Sequence, residues 1–248
     1  MLKILAIGNS FSEDATYFLH DILEDADVEN RVVNLYIGGC SLERHWQNIE
    51  RDLREYQYQL NGRKTDRFVT IDEILKEENF DVIVTQQASH DSGWSFTYEP
   101  FLGLMLEYLG KNTKSGIILN ETWAYDEGSD HPNFMRYDRD QKKMFEALKA
   151  AYEGAAQRHN LSLIHSGELV QRIRELPEYA SGKKRITRDG YHMDFLYGRF
   201  AVALLWAKEI AGIDPEESDF TPEIDFMPDI FVDPELIIKL RRLVADIQ

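Results

Sequence analysis

The sequence predicts a three-layer α/β sandwich, with helices on both faces of a five-stranded parallel sheet. Three observations predict it. Five short apolar runs are continuous rather than alternating, as strands buried on both faces require. Segments of helical period separate them. Strand–helix–strand alternation imposes right-handed crossovers, which layer the helices over the sheet.

Taken in order, the strands are expected at residues 3–7, 32–37, 82–85, 116–119 and 161–164. Phe11, Ala15, Phe18, Leu19, Ile22 and Leu23 form an apolar helical stripe after the first, and Met144, Phe145, Leu148, Ala151, Tyr152 and Ala155 another before the fifth. Residues 195–210 are apolar on most faces, which suits a helix lying deep against the sheet. Residues 234–247 begin with a proline suited to a first helical position. The acidic stretch 214–233 holds Phe220, Ile224, Phe226, Met227, Ile230 and Phe231, so it reads as a wrap over the surface rather than a linker. Two segments fit neither strand nor helix: the polar excursion 61–68, and residues 123–140, rich in Trp, Tyr, His, Asp and Asn. The chain is read as one domain over 1–248, with 212–248 a C-terminal wrap and helix.

Composition narrows the function. The chain has 248 residues, 43% of them hydrophobic, enough for a substantial core. A formal net charge of −16 repels a phosphate polymer and argues against nucleic acid. The first apolar run stops at Gly8, far short of the roughly 20 residues of a membrane span and without the features of a secretory signal. A single cysteine, Cys40, excludes an intramolecular disulfide and a Cys-built zinc site. The expectation is a soluble, cytoplasmic protein that needs no metal or cofactor. Its oligomeric state is left open.

In a parallel sheet, ligands bind at the carboxyl ends of the strands, so the chemistry is sought there. After the first strand come Gly8-Asn9-Ser10-Phe11-Ser12-Glu13. A serine at the start of a helix has its hydroxyl near free backbone N–H groups and the positive end of the helix dipole, a setting for a nucleophile. Ser10-x-x-Glu13 is equally a capping box by spacing, and both readings stand. The second strand ends in Gly38-Gly39-Cys40-Ser41, where glycine lets a backbone N–H approach a ligand or simply makes a tight turn. Cys40 is a small packing residue or, less in keeping with a lone cysteine, a thiol nucleophile. Gln86-Gln87-Ala88-Ser89 close the third strand, and a side-chain amide there can donate to a developing oxyanion or satisfy loop carbonyls. Near the C-terminus, Asp189-Gly190-Tyr191-His192 spaces a carboxylate and an imidazole so that one orients the other. That arrangement is also common in surface turns.

Together, these four places resemble the SGNH (GDSL-type) hydrolase superfamily, serine esterases and acyl hydrolases on a flavodoxin-like sheet. Gly8-Asn9-Ser10 matches the superfamily's serine block, Gly38 or Gly39 its second block, and Asp189-Gly190-Tyr191-His192 its D-x-x-H block. Ile7-Gly8-Asn9-Ser10-Phe11-Ser12, Ile37-Gly38-Gly39-Cys40-Ser41-Leu42-Glu43, Gln86-Gln87-Ala88-Ser89, Thr122-Trp123-Ala124-Tyr125 and Thr187-Arg188-Asp189-Gly190-Tyr191-His192 suggest a little-characterised bacterial branch. The third block departs from the usual G-x-N-D. The resemblance implies a glutamine amide instead, as in sugar-acetylesterase relatives, with Gln87 the first choice and Gln86 the second. It further implies Ser10 as nucleophile, His192 as base, Asp189 as its orienting acid, and the N–H groups of Ser10 and Gly39 as oxyanion donors.

The substrate is read from the loops. Trp123, Tyr125, Asp126 and His131, with Asn133, Tyr137 and Asp140, mix aromatic faces with short polar groups, which suits a polyol or merely packs a long loop. Trp94, Phe96 and Tyr98 extend that wall. The expected partner is a small ester, such as an acylated sugar, carrying a short acyl group. His20, His45, His90, His159 and His165 are read as structural, with His45 the first exception. The rival readings are a non-catalytic carbohydrate-binding module on the same fold, phosphoryl chemistry, which lacks a P-loop here, and a Cys40 hydrolase.

Overall fold

The computed structural model describes residues 1–182 and 184–248. Strand β1 (Leu2–Gly8) leads into helices α1 (Ser10–Thr16) and α2 (Leu19–Asp25), and β2 (Asn30–Tyr36) into α3 (Leu42–Glu50). A hairpin of β3 (Tyr56–Leu60) and β4 (Arg63–Val69) precedes α4 (Ile71–Glu77). Then follow β5 (Val82–Thr85), α5 (Phe101–Asn112), β6 (Gly116–Asn120), α6 (Gln141–His159) and β7 (Ser162–Ile164). The chain closes with α7 (Ser166–Arg174), the single turn α8 (Pro177–Ala180), α9 (Tyr197–Ala211) and α10 (Pro234–Ala245).

One sheet runs in the order β4-β3-β2-β1-β5-β6-β7, with helices on both sides. The five expected strands are its parallel members, in register Ile4↔Val32 and Ile4↔Val82 at the centre. Ile4, Leu5, Ala6 and Ile7 have no exposure at all, which is why β1 reads as an unbroken apolar run. Among the parallel strands alone the order is that of flavodoxin-like sheets. The direction of winding therefore switches between β1 and β5, and the crevice outside their carboxyl ends is where such sheets hold ligands.

The expected five-stranded, all-parallel sheet needs correction at one edge. The excursion at 61–68 is not a loop. Most of it is β4, paired antiparallel with β3, which in turn pairs antiparallel with β2. Being an edge strand with solvent on both faces, β4 has no buried face to impose a period of two, and Arg63, Lys64, Asp66 and Arg67 discourage further pairing. The hairpin signal was the Asn61-Gly62 pair, with φ of 49° and 74°, the two left-handed residues of a tight hairpin turn.

Helix α9 is buried continuously from Tyr197 to Ala207, packed among α1, α2, α7 and α10. Helix α10 lays Leu236, Ile237, Leu240 and Val244 into the core, and Lys208 donates to the carbonyls of Val244 and Ala245 at its end. Between the two, Phe220 meets Phe18 and Phe200 while Phe226 meets Phe195, so residues 212–233 run over the domain on aromatic contacts. No helix among the described residues is long and apolar enough to cross a membrane.

The β3–β4 turn is a sensitive point of the fold. A Cβ at Gly62 would lie 2.1 Å from the Tyr17 carbonyl oxygen, and the backbone there has φ of 74°. Gly62→Ala is expected to destabilise the protein by about 1–3 kcal/mol, read from the urea denaturation midpoint.

Candidate active site

Ser10 is the first residue of α1, at the β1–β5 switch. The capping-box reading fails here, because the N-cap is Asn9: its Oδ1 accepts from the Phe11 N–H at 3.0 Å. Glu13, the other half of that box, takes its hydrogen bonds from Gln59 (3.2 Å) and Lys64 (2.8 Å). The Ser10 hydroxyl is left free of helix duty. Its Oγ lies 2.8 Å from His192 Nε2, and His192 Nδ1 lies 2.6 Å from Asp189 Oδ2. Nδ1–H donating to the carboxylate leaves Nε2 as acceptor for the serine hydroxyl.

The Asp189 carboxyl is pulled two ways. Burial raises its pKa, but the His192 ring and the His192 and Tyr191 backbone N–H groups outweigh that, holding it below the usual carboxylate value. It stays ionised and fixed. Ser10 and His192 are half-buried, so the relay is reachable from solvent while its hydrogen bonds are partly shielded.

The loop that carries His192 is tied from two directions. From α1, the fully buried Asp14 accepts from Met193 N–H (2.9 Å), Arg188 Nη1 (2.9 Å) and Arg199 Nε (2.8 Å). From the segment after β6, Trp123 Nε1 donates to the Tyr191 carbonyl at 2.7 Å, and Asp126 N–H to the Gly190 carbonyl at 2.7 Å. Thr187 Oγ1 donates to Asp126 Oδ2 and accepts from Gly190 N–H. Trp123 also stacks on Phe11 with centroids 4.1 Å apart, and Phe11 meets the His192 ring edge-on at 6.0 Å.

These ties correct the expected substrate wall. Trp123 and Tyr125 are wholly buried and Asp126 is paired with Arg174 at 2.7 Å, so Trp123 and Asp126 are scaffold for the His192 loop rather than surfaces offered to a ligand. Tyr125 keeps only an indirect link, its hydroxyl 2.9 Å from Ser89 Oγ and 3.5 Å from His131 Nε2. Of the four, His131 alone is half-exposed beside the site. Its ring lies 4.9 Å from that of Tyr191, which lies 4.3 Å from that of His192. Burial, with the imidazoles of His90 and His192 adding to it, lowers the His131 pKa and so favours the neutral ring. His90, read from the sequence as structural, stands 6.4 Å from His131 on the same rim. Tyr191 was missed, although it sits inside the D-x-x-H block.

The expected amide donors are also corrected. Gln87 Nε2 donates to the Thr97 carbonyl and hydroxyl, both at 3.1 Å, while its Oε1 accepts from the N–H groups of Leu42 and Ala88. Gln86 Nε2 donates to Asn9 Oδ1, and its Oε1 accepts from Asn120. Both glutamines are buried fittings between loops. Gly39 behaves differently: it is exposed, has φ of 60°, and belongs to a turn held to the serine segment by Asn9 Nδ2 donating to the Cys40 carbonyl at 3.1 Å. The N–H groups of Ser10 and Gly39 have no acceptor among the described residues. Cys40 is fully buried, and burial pushes its thiol up to about 12, which removes it as a nucleophile. His45 packs against it with its pKa lowered to about 3 by burial, a core residue rather than an exception. Among the described residues, no group of three or more His, Cys, Asp or Glu side chains is arranged to hold a metal ion.

Residues 3–226 match the family described as a domain of unknown function, DUF4886. A crystal structure of a DUF4886 family protein from Bacteroides uniformis is 32% identical, with a TM-score of 0.90, covering 99% of this chain and 93% of that one. The lipase/acylhydrolase from Enterococcus faecalis is 19% identical with a TM-score of 0.56, covering 86% and 96%. Axe2, an acetylxylan esterase from Geobacillus stearothermophilus, is 14% identical with a TM-score of 0.56, covering 84% and 94%. No curated protein matches the sequence. The chain therefore belongs to the DUF4886 family, and its fold is that of the SGNH (GDSL-type) hydrolases.

Proposed function

We propose that this protein is a serine esterase that removes a short acyl group, acetyl foremost, from a carbohydrate or similar small alcohol. The observation that carries the reading is the contiguous relay, Ser10 Oγ to His192 at 2.8 Å and His192 to Asp189 at 2.6 Å, at the sheet's switch point. His192 takes the Ser10 proton as the hydroxyl attacks the ester carbonyl. Asp189 stabilises the imidazolium so formed. The tetrahedral oxyanion is held by the N–H groups of Ser10 and Gly39. His192 then protonates the departing alcohol, and in the second half-reaction activates water against the acyl-enzyme.

The short acyl group is argued from what surrounds the relay. A fatty chain needs a continuous apolar groove beside the serine, and Phe11, which meets the His192 ring, is closed onto the buried Trp123. The polyol is argued from the half-exposed rings of Tyr191 and His131, which offer a stacking face next to hydrogen-bonding edges.

Three measurements test this reading. Ser10→Ala is expected to lose fluorophosphonate labelling and to slow p-nitrophenyl acetate and acetylated-sugar hydrolysis by roughly 1000-fold or more. Equal turnover by parent and variant would remove Ser10 from the mechanism, and an unlabelled, inactive parent would favour a binding module. Asp189→Asn, whose amide presents a donor to Nδ1 and so forces the wrong tautomer, is expected to lower kcat by roughly 1000- to 10,000-fold with little change in the denaturation midpoint. Gln87→Ala is expected to lower that midpoint while kcat of the folded protein stays within about tenfold. A fall of roughly 100- to 1000-fold would instead mark a lost oxyanion donor.

A further inference from the structure

A cleft of about 380 Å³ lies beside the tie that holds the His192 loop, lined by Asp126, Glu127, Arg174, Tyr179, Lys184 and Arg185 among others, and by none of Ser10, Asp189 or His192. Its volume equals that of about a dozen waters at roughly 30 Å³ each, room for a small oxyanion with part of its hydration shell.

This cleft brings together three cations whose charge or donors are incompletely met. In a protein with a formal net charge of −16, most cations are consumed by ion pairs. Arg185 makes no hydrogen bond or ion pair among the described residues. Lys184 has no carboxylate within ion-pair distance there, and its ammonium rests over the rings of Tyr197 (4.4 Å) and Tyr179 (5.5 Å). Arg174 spends Nε and Nη2 on Asp126 Oδ1 and the Ala124 carbonyl, while the nearest acceptor for Nη1 is Gln171 Oε1 at 3.5 Å. Burial pulls the Arg174 pKa below its ordinary value, so Asp126 alone does not fully compensate the guanidinium. Asp126 is itself used up, one oxygen on Arg174 and the other on Thr187. Glu127 is the remaining acid of the cleft, and it is exposed.

We propose that this cleft binds an oxyanion, a phosphate or carboxylate group, on Lys184, Arg185 and Arg174 Nη1, and that occupancy steadies the loop carrying His192. The second part follows from connectivity. Arg174 holds Asp126, Asp126 accepts from Thr187 Oγ1 and donates its N–H to the Gly190 carbonyl, and Thr187 Oγ1 accepts from Gly190 N–H. An anion that completes the coordination of Arg174 removes a motive for that guanidinium to leave Asp126 for water. Local opening of residues 187–190 then becomes rarer. The binding step does not depend on the esterase reading.

The test is calorimetric titration of the full chain with inorganic phosphate and, separately, succinate, at constant ionic strength, together with amide hydrogen exchange at Asp126 and Gly190. Saturable binding of either anion is expected, with exchange at both amides slowed at least threefold. The Lys184→Ala/Arg185→Ala double variant, changed only at exposed side chains, is expected to lose at least tenfold in affinity and the slowing with it. Ser10→Ala is expected to bind like the parent, which separates this site from the serine. The proposal is overturned if neither anion saturates, if the double variant binds as well as the parent, or if binding leaves the exchange at Gly190 unchanged.

Discussion

The site depends on one buried carboxylate. Asp14 lies four residues after Ser10, one turn further along α1, and is fully shielded from solvent. A carboxylate in such a place is tolerated only with its charge and lone pairs met, and breaking a buried pair costs roughly 3–5 kcal/mol. Two of its three donors, the Arg188 guanidinium and the Met193 N–H, flank His192 in the sequence, and the third, Arg199, lies on α9. Satisfying Asp14 therefore draws the His192 loop down onto the helix that begins with Ser10. Two groups separated by 182 positions come within 2.8 Å because a third group, buried beneath them, has nowhere else to find its partners.

A second constraint runs sideways under the strand ends. Asn34 joins Gln59 to Ser12, and Ser12 bonds the Asn9 carbonyl. Asn9 joins Gln86, Gln86 joins Asn120, and Asn120 accepts from Ser166 and Trp206. Each of these side chains is buried, and each finds its partners in the next. The chain of amides and hydroxyls spans β3, β2, β5 and β6 and passes beneath the serine turn. A network of this kind is costly when half-satisfied and rigid when complete, so the strand ends are locked relative to one another. Gln86 belongs to that lock, which explains why an amide at a strand end, the usual place for a ligand-facing donor, faces inward here.

What the sequence made legible follows burial and short-range spacing. The five parallel strands were readable because burial on both faces leaves an apolar run. The Asp189–His192 relationship was readable because three residues of separation already bring an Asx turn and an imidazole together. Strand β4 was not, since only its last residue, Val69, is buried and no face carries an apolar run. Trp123 and Asp126 were misjudged because composition cannot say which way an aromatic ring with a polar tip will face. Trp123 places its indole N–H on the Tyr191 carbonyl and its ring on Phe11, contacts 68 and 112 residues away. Asp14 carried no local signal at all: its partners lie 174, 179 and 185 positions further on. The roles given to Ser10, Gly39 and His192 came from family resemblance, and geometry alone could test whether they meet.

Charge divides the molecule's surface into two kinds of place. A chain of net charge −16 repels anions from most of its approaches, and the two guanidiniums tied beneath the serine relay, Arg188 and Arg199, are neutralised by Asp14 and offset little of this. For the proposed reaction that arrangement favours a neutral ester coming in and a carboxylate product going out, both in the direction of turnover. Lys184 and Arg185, two cations with no ion pair among the described residues, instead stand beside Arg174 on the cleft that excludes the serine relay. An anion reaching this protein is thus directed to the support of the His192 loop rather than to its reactive end. The two regions communicate through Asp126 and Thr187, so a charge bound at one is felt as stiffness at the other.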